Sequence, residues 1–152
     1  MNGGLILSPY SFRDFSYHTV FGAAEPKEIK PLGRLVEIKN MNLPIVAQGR
    51  ANTCISASIT WLKQYFEKTD IDLSHEFLAQ ISNTRPEGAT FEQVLGPSRK
   101  IGIAEQQIYD GSYSIFEKEL NAAQHKMTNS FYVDPKDIHA IYDALIKNPV
   151  VI

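Results

Sequence analysis

The feature that most constrains this chain is a short polar loop that runs directly into an apolar helical pattern at the single cysteine. The loop occupies residues 48–53, and from Cys54 to about Lys68 apolar residues recur three and four positions apart, as in a helix. Asn52 and Thr53 are suited to cap this helix. Because apolar residues occupy more than one of its faces, we predict a central, well-buried helix. Its expected core positions are Ile55, Ile59, Leu62 and Phe66.

A cysteine at the start of a helix is well placed for nucleophilic chemistry. The thiolate is the nucleophilic form, and the positive end of a helix dipole favours it. Acyl transfer also needs donors directed at the oxyanion, and two are available here: the backbone N–H of Cys54 and the side-chain amide of Gln48, six residues upstream. Gly49 permits the backbone to fold back. A lone cysteine in an apolar helix is also often a small buried hydrophobe, so both interpretations stay open.

The composition indicates a folded domain without a strongly charged partner. The chain has 152 residues, of which 43% are hydrophobic and 21% are charged, which suits one domain with an ordinary core. Its net charge is −2 and no cluster of Lys and Arg stands out, so we expect neither nucleic acid nor a membrane as partner. One cysteine excludes an internal disulfide and supports no zinc site, so no metal and no cofactor is expected.

The two ends of the sequence carry separate signals. The N-terminus has no basic region and too short an apolar run for a signal peptide, and no apolar run approaches the ~20 residues of a membrane helix. We therefore expect a cytoplasmic location, although an export signal removed from the chain would look the same. The last three residues, Val150, Val151 and Ile152, are apolar strand formers, whereas natural termini are more often polar. We interpret this end as an interruption and the chain as a fragment.

The first part of the chain, residues 1–43, is predicted to be an extended N-terminal arm. Pro9, Pro26 and Pro31 punctuate it, and its apolar runs are too short for long helices, although residues 35–38 fit a short strand. Residues 44–152 are predicted to form a mainly helical lobe.

Capping signals divide this lobe into helices. Ser74 is expected to cap a helix that ends at Ile81, and Thr90 with Gln93 has capping-box spacing for a helix beginning at Phe91. Further along the same helix, a proline is expected to kink or split it and a glycine to stop it. These two residues are Pro97 and Gly102.

The C-terminal third repeats this alternation. Ser114 and Glu117 predict a capping box that opens a helix to about His125, and residues 130–133 fit a strand. Asp134 followed by Pro135 predicts the start of an amphipathic helix that ends at residues 148–149, after which residues 150–152 begin another strand.

The glutamine-to-cysteine segment is similar to the active-site motif of papain-like cysteine peptidases. The matching residues are Gln48, Gly49 and Cys54 with the helix that follows, and the small polar residues after the cysteine most resemble the bacterial and phage-type branch of the family. Weaker matches extend the likeness over most of the chain. They include Leu73–Ser74, Gly88–Ala89, and segments 100–105 and 137–151.

The resemblance implies an α+β fold, of which this chain would supply the predominantly helical left lobe. The central helix would carry the cysteine, an extended arm would precede it, and most of the β-rich second lobe would be missing. Cys54 would be the nucleophile and Gln48 the oxyanion-hole residue, while Asn52, Thr53 and Gly88 would lie near substrate. The partners implied are a peptide or protein substrate and the missing C-terminal lobe.

The chain also departs from the family pattern. Asn52 and Thr53 stand where the family usually has glycine and serine, and Asn52 is expected to narrow the primary specificity site. Pro86 and Glu87 replace part of the glycine turn. The histidine and asparagine of the family lie ~130–150 residues beyond the cysteine, which is past the end of this chain. None of the four histidines present is assigned as the base. They are His18, His75, His125 and His139.

Three functions remain for comparison. The first is a cysteine-type peptidase whose fragment here lacks the catalytic histidine and asparagine and is inactive by itself. The second is a non-catalytic papain-like domain that binds peptides or proteins. The third is a related thiol acyl-transferase, which needs the same nucleophile and oxyanion donor.

Overall fold

The computed structural model of the chain describes Leu43, Pro44, Val46, Gln48 and residues 51–147. The arm predicted for residues 1–43 therefore lies almost entirely outside the described residues. The predicted strands at residues 35–38 and 150–152, and the helix end at residues 148–149, lie outside them as well. The division of the chain near residue 43 stays a prediction.

The described residues fall into two compact units, one that extends to Thr128 and one that begins at Asn129. The described part of the first unit contains five helices, and the described part of the second contains one. In chain order they are α1 (Cys54–Glu67), α2 (His75–Ile81), α3 (Phe91–Lys100), α4 (Gln106–Asp110), α5 (Ile115–Ala122) and, in the second unit, α6 (Ile138–Lys147).

Helix α1 is the predicted central helix, and it begins at Cys54 as expected. It packs against α2 and α3. Its Ile55 and Ile59 are buried in the main core, whereas Phe66, predicted as a core residue, is 47% exposed. The helix ends where Lys68 adopts a left-handed conformation with φ of 50°. The other members of this core are Leu73, Leu78, Ala89, Val94 and Ile103.

The caps predicted for α2 and α3 are present. Ser74 accepts a hydrogen bond from the backbone N–H of Phe77 at 3.1 Å, and Thr90 accepts one from the N–H of Gln93 at 3.2 Å. The capping box at α3 is only half formed, because the side chain of Gln93 donates to the carbonyls of Ser82 and Asn83. This longer-range pairing ties α3 to the end of α2.

Proline 97 does not split α3, so that part of the prediction is wrong. A proline inside a helix removes one backbone hydrogen bond. Here the helix continues for three further residues to Lys100, and the N–H groups of Ile101 and Gly102 both donate to the carbonyl of Pro97. Gly102, with φ of 109°, follows the end of the helix as predicted.

Two elements after α3 differ from the prediction. The short helix α4 was not predicted, and α5 ends at Ala122, three residues before the expected His125. The predicted capping box at the start of α5 is complete, because the N–H of Ser114 donates to Glu117 at 2.8 Å and the N–H of Glu117 donates back at 3.3 Å.

Two further predictions, both for the second unit, are wrong. Residues 130–133 do not form a strand, and only Tyr132 takes part in an isolated β-bridge. Helix α6 begins three residues later than expected, because Asp134 closes a turn by accepting a hydrogen bond from Lys136. Asp137 then caps the helix and accepts from the N–H groups of His139 and Ala140 at 3.0 and 2.9 Å.

The mainly helical character predicted for this lobe is confirmed for the described residues. The β structure within them is limited to isolated bridges, so they do not contain the β part of the predicted α+β class. No helix in this part of the chain has both the length and the apolar character required to cross a membrane.

Candidate functional site

Cys54 is a free cysteine at the first position of α1. Its side chain is half-buried and packs against the main core. Thr53 precedes it at the N-cap position, and the carbonyl of Thr53 accepts the first helical hydrogen bond from Ala57 at 2.9 Å. The first N–H groups of a helix have no partner inside the helix, so the thiol lies at an end of α1 that favours negative charge.

Gln48 folds back along its own loop. Its side-chain Nε2 donates a hydrogen bond to the carbonyl of Ala51, three residues before Cys54. The amide carries two N–H groups, and this bond uses one of them. An oxyanion donor at Gln48 would therefore be the second N–H. Gly49, which was expected to permit the fold-back, lies outside the described residues.

Asn52 does not cap α1, which corrects one expectation from the sequence. Its side-chain Nδ2 donates to the carbonyl oxygen of Pro86 at 2.5 Å, across 34 residues of chain. This bond joins the loop before the cysteine to the turn that contains Gly88. Two parts of the chain predicted to lie near substrate are therefore brought together at the start of α1.

Thr53 occupies the N-cap position, as predicted, but its side chain makes no capping hydrogen bond. Its hydroxyl oxygen is buried and has no hydrogen-bond partner among the protein groups of the described part of the chain. The loop therefore enters α1 without the side-chain support that α2, α3 and α5 receive from their caps.

Gly88 closes a tight turn. Its N–H donates to the carbonyl of Arg85 at 2.9 Å, and the N–H of Arg85 donates to the carbonyl of Gly88 at 3.3 Å. Pro86 fits the second position of such a turn because its ring sets φ, and Gly88 has a φ of 116° that favours glycine. Pro86 and Glu87 form the exposed tip, whereas Gly88 is buried.

A cluster that the sequence did not predict lies at the other end of α1. The ring Nδ1 of His125 is 2.8 Å from the carboxylate of Glu67, and its Nε2 is 3.7 Å from that of Glu105. Glu67 ends the 14-residue helix that Cys54 begins, so the two lie about 20 Å apart along it. His125 is therefore not placed to act as a base for Cys54.

The carboxylate of Glu105 in this cluster is held in its ionised form. Hydrogen bonds from the side chains of Gln107, at 2.7 Å, and Asn121, at 2.8 Å, lower the pKa of Glu105, and His125 adds to the effect. His125 thus lies between Glu67 at the end of α1 and Glu105 in the segment between α3 and α4.

Two other histidines are described. His75 is buried at the first position of α2, with its Nδ1 3.8 Å from the carboxylate of Glu76. His139 lies on α6 in the second unit. Within the residues that the structure describes, no group of three or more His, Cys, Asp and Glu side chains is arranged to hold a metal ion.

Comparison with known proteins identifies a solved structure with a similar fold. No protein-family model and no curated protein matches the chain. The crystal structure of xylellain, a cysteine protease from Xylella fastidiosa, is similar to it with a TM-score of 0.68 and 17% sequence identity. The likeness covers 96% of this chain and 63% of the xylellain chain. The chain therefore shares the fold of a cysteine protease and spans less than two thirds of that neighbour.

Proposed function

We propose that this chain is the nucleophile-bearing helical lobe of a papain-like cysteine peptidase of the bacterial and phage-type branch. The observation that carries the proposal is the position of Cys54: a free, half-buried thiol at the first residue of the central helix. The shared fold with a cysteine protease supports it. The sequence motif from Gln48 to Cys54 supports it independently.

In this mechanism the thiolate of Cys54 attacks the carbonyl carbon of a peptide bond. The carbonyl oxygen becomes an oxyanion that accepts hydrogen bonds from the backbone N–H of Cys54 and the second side-chain N–H of Gln48. Collapse of the tetrahedral intermediate breaks the C–N bond, and the amine leaves with a proton. Water then hydrolyses the thioester and regenerates the thiol.

The proton transfers require a base, and we assign it to the remainder of the complete enzyme. A histidine oriented by an asparagine would take the thiol proton and return it to the leaving amine. His125 contacts Glu67, which lies about 20 Å from the thiol along α1. The present chain is therefore expected to show little or no peptidase turnover by itself.

A binding domain without catalysis is the second candidate. The hydrogen bond between Asn52 and Pro86 favours this candidate. It places a side chain at the rim of the substrate cleft, where the family resemblance implies an open rim lined by glycine. A groove whose shape is maintained by such a hydrogen bond can bind a peptide without cleaving it.

Alkylation of the single thiol tests the two candidates. Iodoacetamide should modify Cys54, because the start of a helix favours the thiolate, which is the reactive form. A peptidyl chloromethyl ketone should react faster than iodoacetamide if a peptide groove aligns it with the thiol. The Cys54→Ala variant, examined by mass spectrometry, controls for reaction elsewhere.

The outcomes separate cleanly. Faster reaction of Cys54 with the peptidyl reagent than with iodoacetamide supports the peptidase. Saturable peptide binding that is retained in Cys54→Ala, without faster reaction of the peptidyl reagent in the wild-type chain, supports the binding domain. A thiol that reacts with neither reagent contradicts the proposed nucleophile.

A further inference from the structure

We propose that Asn52 is a positioning residue that fixes the entry of the chain into α1 and thereby the position of Cys54. The effect of Asn52 on catalysis rests on the proposed function, whereas its effect on the position of the loop does not. The observation is the hydrogen bond from Asn52 Nδ2 to the carbonyl of Pro86 at 2.5 Å. It links segments 34 residues apart, directly beside the N-cap of the helix that carries the thiol.

The turn that receives this bond is a firm anchor. Two backbone hydrogen bonds between Arg85 and Gly88 close it, and the ring of Pro86 restricts its backbone. The N–H of Thr84 donates to the carbonyl of Ala79 at 3.0 Å, which ties the turn to α2. Ala89, which follows the turn, is 2% exposed and belongs to the main core. The Pro86 carbonyl is thus held in place by the core of the first unit.

The loop that donates the bond has little other support in the described residues. Thr53 supplies no side-chain cap to α1. The bond from Gln48 to the Ala51 carbonyl lies within the loop and does not attach it to the rest of the unit. Among the described contacts of the loop before Cys54, the hydrogen bond of the Asn52 side chain to Pro86 is therefore the one that attaches the loop to the turn at residues 85–88.

This attachment matters for the chemistry because nucleophilic attack depends on geometry. A displacement of about 1 Å at a reacting group can reduce a rate by about 100-fold. Asn52 lies two residues before Cys54, so release of its side chain lets the thiol and the first N–H groups of α1 shift together. A reagent that must be aligned in the groove is then affected far more than a small reagent.

Matched substitutions test the inference. Asn52→Asp has nearly the same shape but offers only acceptors, so it cannot donate to Pro86, whereas Asn52→Gln keeps the donor on a longer side chain. Asn83→Asp makes the same charge change at an exposed asparagine of the neighbouring turn and serves as control. We expect Asn52→Asp to slow the peptidyl chloromethyl ketone reaction by about 10- to 100-fold, and the iodoacetamide reaction by less than about 3-fold.

A second readout does not depend on the thiol. The N–H of Ala57 donates the first hydrogen bond of α1, to the carbonyl of Thr53. Its hydrogen exchange should be about tenfold faster in Asn52→Asp if the start of the helix opens more often. It should stay near the wild-type rate in Asn83→Asp, and Asn52→Gln should recover most of the protection.

Each outcome decides the matter. Selective loss in Asn52→Asp with recovery in Asn52→Gln supports the positioning role. Equal behaviour of Asn52→Asp and the wild-type chain in both readouts overturns it, while leaving the proposed function intact. A wild-type thiol that ignores both reagents rejects the proposed function, and the exchange of the Ala57 N–H then decides the mechanical role alone. Equal loss in the Asn83→Asp control also overturns it.

Discussion

Gly102 lies so close to Ala122 that a Cβ added to the glycine would be 1.8 Å from the carbonyl oxygen of the alanine. The glycine follows the end of α3, and Ala122 is the last residue of α5. Its φ of 109° is also a conformation that side chains rarely adopt. Two separate requirements, one steric and one conformational, therefore select glycine at this junction.

The Gly102→Ala variant is expected to be strongly destabilised, by about 3 kcal/mol or more, because backbone has to move to relieve the contact. Gly96→Ala is the comparison variant: it lies inside α3, and an added Cβ meets nothing within 4 Å apart from its neighbours in the helix. That change should affect the free energy of unfolding by only about 1 kcal/mol, because the gain from replacing a helical glycine is opposed by the clash of the new Cβ with the ring of Pro97. Urea unfolding of both variants measures the difference, and equal stabilities would contradict the close approach of Gly102 to Ala122.

The parts of the fold that the sequence predicted are those fixed by local hydrogen bonds. Ser74, Thr90 and Ser114 each accept from a backbone N–H three residues ahead, so the sequence spacing contains the whole interaction. Asp134 shows the limit of this reasoning. It has the sequence signature of a cap, but it closes a turn, and Asp137 caps the helix.

The site shows the same division between local and distant information. The position of Cys54 at a helix start follows from the periodicity of the residues after it. The partner of Asn52 could not be predicted, because Pro86 is 34 residues away and the pairing depends on how α1 packs against α2 and α3. The side chain of Gln93 leaves its local cap for the end of α2 for the same reason.

Removal of the Ser74 cap should be costly. Ser74 is completely buried, and its hydroxyl accepts from the N–H of Phe77 at 3.1 Å. Ser74→Ala leaves that N–H without its acceptor, so we expect a loss of about 1–2 kcal/mol in the free energy of unfolding. Ser112→Ala, at an exposed serine, should stay within about 0.5 kcal/mol of the wild-type chain. A cap variant as stable as this control in urea unfolding would contradict the role of Ser74.

Glu105 should make the stability depend on pH in the acid range. Hydrogen bonds from Gln107 and Asn121 lower its pKa in the folded state. Its contribution is therefore fully present above the pKa of the unfolded chain, ordinarily about 4.3, and is lost as the pH falls through the lower folded value. Glu105→Gln should lower the stability at neutral pH and flatten its decline below about pH 5.

The comparison for this test is Glu119→Gln, which removes the same charge from an exposed position on α5. Free energies of unfolding, measured from about pH 3 to about pH 7, should show the same dependence on pH in Glu119→Gln as in the wild-type chain. A slope in Glu105→Gln that equals the wild-type slope would show that other groups control the acid sensitivity.

On the face of α1 that carries Ser56, Thr60 and Gln64, removal of a hydroxyl is expected to preserve or raise the stability, in contrast to its removal at Ser74. These side chains recur every four residues, each is at most 1% exposed, and their polar atoms have no hydrogen-bond partner among the protein groups of the described residues. A buried hydroxyl without a partner opposes folding, so its replacement by an apolar group of similar shape removes a cost. Thr60→Val should leave the chain equally stable or up to about 1 kcal/mol more stable, whereas Ile59→Val, one residue earlier, should cost about 1 kcal/mol. Urea unfolding of the two variants makes the comparison, and a loss in Thr60→Val as large as that in Ile59→Val would mean that the hydroxyl is satisfied in the folded protein.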